Sequence, residues 1–270
     1  MGETLKIIVL VKHVPDTQFD RHLSGPANSI DRSESILSEL DEYALEAALQ
    51  LSEARGGAKA GNQVIALSMG PAAAANAVKK SLQIGASEGV HLTDASLAGS
   101  DAAATSLALA AAIRHIGAEG QVDLVLTGMA STDGETSLVP AQLAERLGLP
   151  QVTFASSLEI NGSTLTASRD TDSHSTTVEA TLPAVVSVTD QINDPRYPNF
   201  KGIIAAKRKT VTTLSLADIG LDSAQVGQSG SWTTVVTAEP RPPRTAGTII
   251  TDDGDAGVKL VDFLAARKLL

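Results

Sequence analysis

Apolar positions along this chain keep two rhythms, short continuous aliphatic runs and longer segments with helical spacing, and the two alternate through the first 150 residues. Lys6 to Val11 is an unbroken aliphatic run of the kind a strand buried on both faces requires, and Pro15-Asp16 turns the chain after it. From Asp41 to Ala54, Ala44, Leu45, Ala48, Leu49 and Leu51 recur at helical spacing until Gly56-Gly57. Gln63 to Ser68 repeats the strand pattern, Met69-Gly70-Pro71 turns, and an Ala-rich helix runs to Ile84 before Gly85. A further strand over Gly89–Leu92, a helix capped by Ser100 or Asp101 and reaching Ile116, and a buried strand over Val122–Thr127 complete a βαβαβα series. This alternation predicts a parallel sheet covered by helices, with ligands at the carboxyl ends of its strands.

Beyond Pro150 the rhythm changes. Val152–Ile160, Thr164–Ser168 and Thr176–Ala180 alternate like antiparallel strands, with Asn161-Gly162 as a hairpin turn, and Ala184–Val188 is one more aliphatic strand. After Lys209 long periodic runs are scarce and Glu239-Pro240, Pro242-Pro243 and Gly247 punctuate the chain, which reads as an extended arm with a helix only over Val258–Leu270. The expected organisation is an α/β domain over residues 1–209 and an arm over residues 210–270.

Composition narrows the chemistry. The apolar residues, 43% of the chain, are mostly Ala, Val, Leu and Ile, as helices on a parallel sheet require. With no cysteine, thiolate metal sites, iron–sulfur clusters and cysteine nucleophiles are excluded, so redox chemistry must come from a borrowed cofactor. The five histidines show no metal-ligand spacing, and neither a catalytic residue nor a metal site is assigned. A net charge of -10 argues against nucleic acid as a partner. The apolar runs are too short to span a bilayer and the N-terminal run is broken by Lys12 rather than built as a signal peptide, so a cytoplasmic location is expected.

Two segments carry candidate chemistry. Gly128 to Gly148, GMASTDGETSLVPAQLAERLG, follows a strand and opens a helix; its small residues and its hydroxyls at Ser131, Thr132, Thr136 and Ser137 suit a phosphate at a helix start, whereas Asp133 and Glu135 would repel one unless engaged elsewhere. A turn plus helix cap is the plainer reading of Asp133–Thr136. No GxxxxGK[ST] or GxGxxG fingerprint is present. Asn193 to Lys209, NDPRYPNFKGIIAAKRK, concentrates Arg196, Tyr197 and Phe200 with four cations at Lys201, Lys207, Arg208 and Lys209 in a chain holding only four Phe, two Tyr and one Trp. That mixture suits a docking element, and a solvated connecting loop is an equally good reading of the residues alone.

With these segments in place, the sequence resembles the beta subunit of electron-transfer flavoproteins over nearly its whole length. The resemblance rests on the joint order of VKHVPD (Val11–Asp16), DEYALEAALQL (Asp41–Leu51), ALSMGP (Ala66–Pro71), DLVLTG (Asp123–Gly128), LGLPQVTFAS (Leu147–Ser156), LPAVVSV (Leu182–Val188) and the NDPRYPNFK segment. It implies an adenine-nucleotide-binding, Rossmann-like fold; an alpha-subunit partner that holds the redox FAD and packs on the arm; and an electron-carrier role rather than an enzyme's. The donors implied are flavin dehydrogenases such as the acyl-CoA dehydrogenases of fatty-acid β-oxidation, and the acceptor is a membrane quinone oxidoreductase leading to the respiratory chain. It further implies a buried AMP held by Leu10, Ser38, Glu39, Leu40, Asp41, Met69 and the loop of Gly128, Met129, Ala130, Ser131, Thr132, Asp133, Gly134, Glu135, Thr136, Ser137, Leu138 and Val139. Ser137-Leu138-Val139 replaces the Asn-Gln-Thr run of many AMP-holding members, leaving phosphate contacts to Thr136, Ser137 and backbone amides. The alternatives are a second FAD, as in bifurcating members whose DGDTAQVG compares with DGETSLVP here, and a nucleotide-sensing or ATP-hydrolysing protein of the same fold. The family's recognition loop falls on residues 193–201, with Phe200 at the anchor position beside Arg196, Tyr197 and Lys201.

Overall fold

The computed structural model describes residues 4–24 and 29–270; residues 1–3, which open the stretch weighed as a signal, lie outside the described residues. After β1 (Lys6–Leu10) come four short strands, β2 (His13–Pro15), β3 (Leu23–Ser24), β4 (Ser29–Ile30) and β5 (Ser35–Leu37), in which β2 pairs with β5 and β3 with β4. Then follow α1 (Glu39–Glu53), β6 (Gln63–Met69), α2 (Ala75–Ile84), β7 (Glu88–Leu92), α3 (Ala102–Gly117), β8 (Leu124–Gly128) and α4 (Val139–Leu147). The remainder is β9 (Gln151–Ala155), β10 (Ser157–Asn161), β11 (Thr164–Asp170), β12 (Ser175–Thr181), β13 (Ala184–Val188), α5 (Phe200–Ala206), β14 (Val211–Leu214), the single turn α6 (Gly227–Gly230) and α7 (Ala256–Ala266).

Seven strands form a parallel sheet in the order β14-β7-β6-β1-β8-β13-β9, and β10-β11-β12 form a separate antiparallel sheet. The expected α/β class, with antiparallel additions and a chain end largely without regular structure, is the observed one. Strand β1 shows why the sheet must be covered on both sides. Ile7 and Val9 enter the cluster shared with α1 and α2, while Ile8 and Leu10 enter the one shared with α3 and α4. Full burial of such a side chain stabilises the fold by roughly 1.5–3 kcal/mol, which fixes β1 at the centre of the sheet.

Three local readings change. Val152–Ile160 is not one antiparallel strand: β9 joins the parallel sheet beside β13, and the chain then passes into β10 of the other sheet. Phe154, with φ of 60°, lies just before this switch, which a continuous alternation of side chains does not reveal. Val211–Leu214, beyond Lys209, extends the central sheet at the edge of β7. Helix α1 starts two residues earlier than its apolar spacing predicts, because Glu39 and Leu40 fill a first turn whose cap is Ser38.

The chain separates into two compact units, one ending at Thr237 and the other spanning Ala238–Leu270. Within the second, α7 buries no residue, and Val258, Leu260 and Val261 are exposed.

Candidate functional site

Strand order reverses at β1: the chain moves from it to β6 on one side and later to β8 on the other. In open α/β sheets that reversal leaves a crevice beyond the carboxyl ends of the strands. Leu10, Met69 and Gly128 end β1, β6 and β8, so the three predicted loops meet at one edge. Ser38 caps α1, and Glu39, Leu40 and Asp41 make its first turn. The loop from Met129 to Leu138 leads to Val139, the first residue of α4.

Gly128 is required where β8 passes α1. A Cβ at this position would lie 2.8 Å from both the Asp41 Oδ1 and the Leu40 carbonyl oxygen. Asp41 is buried against this strand end and accepts from the Lys12 amide at 2.7 Å. Burial lifts its carboxyl to about 7, although the Lys12 and Gly128 amides and the Lys12 charge pull it down.

Asp133 answers the objection its charge raises in the sequence. Its side chain is 3% exposed and its Oδ1 lies 2.9 Å from Lys12 Nζ, while Oδ2 pairs with the Arg32 guanidinium. Burial alone would raise this carboxyl, yet the Lys12 and Arg32 cations and the Ser131 hydroxyl hold it well below the usual carboxylate range. The aspartate is therefore neutralised from inside the protein. Lys12 also donates to Ser131 Oγ at 3.2 Å, and Arg21 donates to the Thr132 carbonyl at 2.5 Å, closing the β8 loop on the segments that follow β1. Lys12 has a signal in the sequence, since it interrupts an aliphatic run; Arg32 and Arg21 have none.

The crevice also carries polar groups without partners. Ser38 Oγ, Ser68 Oγ and Thr132 Oγ1 are buried and unbonded, and all three belong to segments at the carboxyl end of the sheet. A buried hydroxyl left unpaired is costly, and a polar ligand bound beside them would offer the missing partners. Glu135 and Ser137 adopt φ of 50° and 53°, a left-handed conformation costing roughly 1–3 kcal/mol per residue that clusters at ligand-binding loops. Gly134, Glu135, Thr136 and Leu138 are exposed, whereas Met129, Ala130, Ser131, Thr132 and Ser137 are half-buried. The donor set fits a nucleotide such as AMP: hydroxyls and amides for phosphate and ribose, with the nearby carboxylate already paired.

The second predicted segment lies over α1 and α2. Tyr197 and Phe200 are 88% and 78% exposed, and Lys201 is exposed beside them. Arg196 differs: its guanidinium is engaged by Glu46 and Glu53 of α1. Lys209 likewise turns inward, donating to the Leu82 and Ala86 carbonyls at the end of α2 at 2.9 and 2.6 Å. Of the segment's own cations, Lys201, Lys207 and Arg208 remain exposed. Asn199 caps α5 by accepting from the Gly202 amide at 2.8 Å, and a Cβ on Gly202 would lie 2.5 Å from the Gln83 carbonyl oxygen of α2.

No helix among the described residues is long and apolar enough to cross a membrane, and no group of three or more His, Asp or Glu among them is arranged to hold a metal. The sheet order and the loop-lined crevice at its reversal define a Rossmann-like α/β protein. The profile of the electron transfer flavoprotein domain matches residues 28–219. The chain is 44% identical over 266 residues to the electron transfer flavoprotein subunit beta of Mycobacterium tuberculosis (strain ATCC 25618 / H37Rv), covering 98% of this chain and 99% of that protein. It shares the same identity and coverage with the subunit beta of Mycobacterium leprae (strain TN), and 33% identity over 275 residues, 98% of this chain and all of the relative, with that of Megasphaera elsdenii. The chain belongs to the electron transfer flavoprotein beta-subunit family, whose role is electron transfer.

Proposed function

We propose that this chain is the beta subunit of a heterodimeric electron-transfer flavoprotein that takes electrons from flavin dehydrogenases, such as acyl-CoA dehydrogenases, and passes them toward the respiratory chain through a membrane quinone oxidoreductase. The FAD that carries the electrons is held with the alpha subunit, and this chain supplies no acid, base or nucleophile. It acts in the cytoplasm as scaffold, docking platform and wall of the flavin environment. The arm over residues 238–270 packs on the alpha subunit, in keeping with the exposed apolar residues of α7.

The crevice between β1 and β8 holds AMP as a structural nucleotide. The observation that carries this reading is the pairing of Asp133 with Lys12 and Arg32, which removes repulsion at the place where a phosphate would lie. Leu10, Met69 and residues 38–41 line the crevice, and Thr132, Thr136, Ser137 and the amides of the β8 loop face the nucleotide. Tyr197, Phe200 and Lys201 meet the dehydrogenase, with Phe200 as the apolar anchor.

Co-expression with an alpha subunit, followed by mass spectrometry of the denatured complex, tests both halves. One FAD and one AMP per heterodimer are expected. Two FAD would replace AMP in the crevice, and no complex and no flavin would overturn the assignment. Phe200→Ala is expected to weaken electron acceptance without changing nucleotide content, and unchanged transfer kinetics would remove the docking role.

A further inference from the structure

We propose that Arg196 is a positioning residue: clamped between Glu46 and Glu53 of α1, it sets the Tyr197–Asn199 segment that leads into Phe200 in the orientation a partner flavoprotein reads. This rests on the docking reading of residues 193–201 and goes beyond it, because it assigns the shape of that loop to one side chain.

The clamp is built from two forks. Arg196 Nε and Nη2 donate to Glu46 Oε2 and Oε1 at 2.7 and 2.9 Å, and Nη1 and Nη2 donate to Glu53 Oε1 and Oε2 at 2.6 and 2.9 Å. Its amide also donates to Glu46 Oε2 at 3.3 Å. Glu46 and Glu53 are seven residues apart, hence on one face of α1, and paired forks of this kind are among the strongest polar contacts. Glu46 is buried and Glu53 exposed, so the inner fork replaces the solvation that Glu46 has lost. Although burial opposes ionisation, the bonds from Arg196 and Gln50 hold the Glu46 carboxyl below its ordinary range.

The loop depends on this clamp because little else holds it. Among the described residues, the stretch from Asn193 to Pro198 makes no backbone-to-backbone hydrogen bond. It is fixed by side chains: Asn193 Nδ2 donates to the Tyr43 carbonyl at 3.0 Å at one end, Asn199 caps α5 at the other, and Arg196 holds the middle. Tyr197 follows the clamp directly and Phe200 comes four residues after it. An anchor held in its bound orientation spares the partner the cost of ordering it, which is a gain in affinity rather than in the rate of the bound complex.

The test uses the heterodimer with an acyl-CoA dehydrogenase, reduced by its acyl-CoA substrate, as electron donor. Arg196→Gln is expected to raise KM for the heterodimer roughly tenfold while kcat stays within about twofold. Amide hydrogen exchange across residues 193–199 should accelerate while flavin and nucleotide content hold. Glu46→Gln combined with Arg196→Gln should add little to either single change, since both remove one contact. Should Arg196→Gln fail to fold, Arg196→Lys and Glu53→Gln, which each disrupt only part of the clamp, are expected to give intermediate KM values. Wild-type exchange and KM in the Arg196 variants, alongside a raised KM in Phe200→Ala, would overturn the positioning role and leave the docking reading standing. An unchanged KM in Phe200→Ala would overturn the docking reading and the positioning role with it. A fall in kcat at constant KM would also overturn the inference, because a loosened anchor cannot act that way.

Discussion

Lys12 Nζ lies 2.9 Å from Asp133 Oδ1, and this ion pair ties the end of the first strand to a loop 121 residues later. The Lys12 amide meanwhile bonds Asp41 and Arg32 covers the other oxygen of Asp133, so three separated segments close one wall of the crevice. Removing Lys12 by Lys12→Ala leaves a nearly buried carboxylate with one cation. The expected cost is about 1–3 kcal/mol of stability, with partial loss of bound nucleotide. Chemical denaturation and mass spectrometry of the purified subunit measure both. The folded Asp133 pKa is depressed, so its stabilisation is present above the ordinary 3.8 and is lost as pH falls below it. The Lys12→Ala penalty should therefore shrink in strong acid.

Asp41 gives the opposite sign. Its folded pKa of about 7 lies above the ordinary 3.8, so between these values the folded state holds a proton that the unfolded state has lost. Its contribution weakens as pH rises through that window, by up to about 1.4 kcal/mol per pH unit, and the full cost is present above the window. His13 works against this below 6.5, since burial lowers its pKa and the folded state resists protonation. Comparing wild type with Asp41→Asn isolates the aspartate: the difference between their stabilities should change with pH from 4 to 7 and level off outside that range. A difference independent of pH would show that Asp41 stays ionised throughout.

Gly128→Ala should be severe for a change of one methyl group. The added Cβ meets the carboxylate of Asp41 and the carbonyl of Leu40, neither the free end of a flexible side chain. Overpacking of this kind costs typically 1–3 kcal/mol, and here it also displaces the start of α1 from the crevice. A lower Tm together with loss of copurifying nucleotide is the expected result.

Deletion of residues 238–270 separates folding from assembly. The unit ending at Thr237 contains the central sheet and both of its apolar clusters, so it should melt cooperatively without them. Its capture of an alpha subunit in size-exclusion chromatography is expected to be lost. Wild-type assembly by the truncated chain would show that the arm is not needed.

The sheet was legible because strands buried on both faces, such as β1 and β8, need continuous aliphatic runs, and their helices need apolar residues at helical spacing. The meeting of Leu10, Met69 and Gly128 followed from topology. The pairing of Asp133 is not legible in the sequence, because a carboxylate is read as negative until its partners are known, and Arg32 lies 101 residues from it in a segment without periodicity. Arg196 shows the same limit. An arginine between prolines and aromatics has the composition of an interface, and only the folded chain reveals that two glutamates on α1 already occupy it. The passage from β9 to β10 is hidden because the apolar positions of the sequence keep alternating from Val152 to Ile160, whereas in the fold the register against β13 slips between Val152 and Ala155 and Phe154 is exposed.

Helix α1 is also a ruler. Asp41 lies under Gly128 near one end and Glu53 meets Arg196 at the other, twelve residues or about 18 Å along the axis. Inserting or deleting one residue between Asp41 and Glu46 would leave the first contact in place and turn both glutamates about 100° around the helix. The arginine would then face the wrong side chains. The length of this segment is thus as constrained as its composition, and a single-codon insertion there should lower stability along with docking, because the same rotation carries Ala48 and Leu49 out of the core.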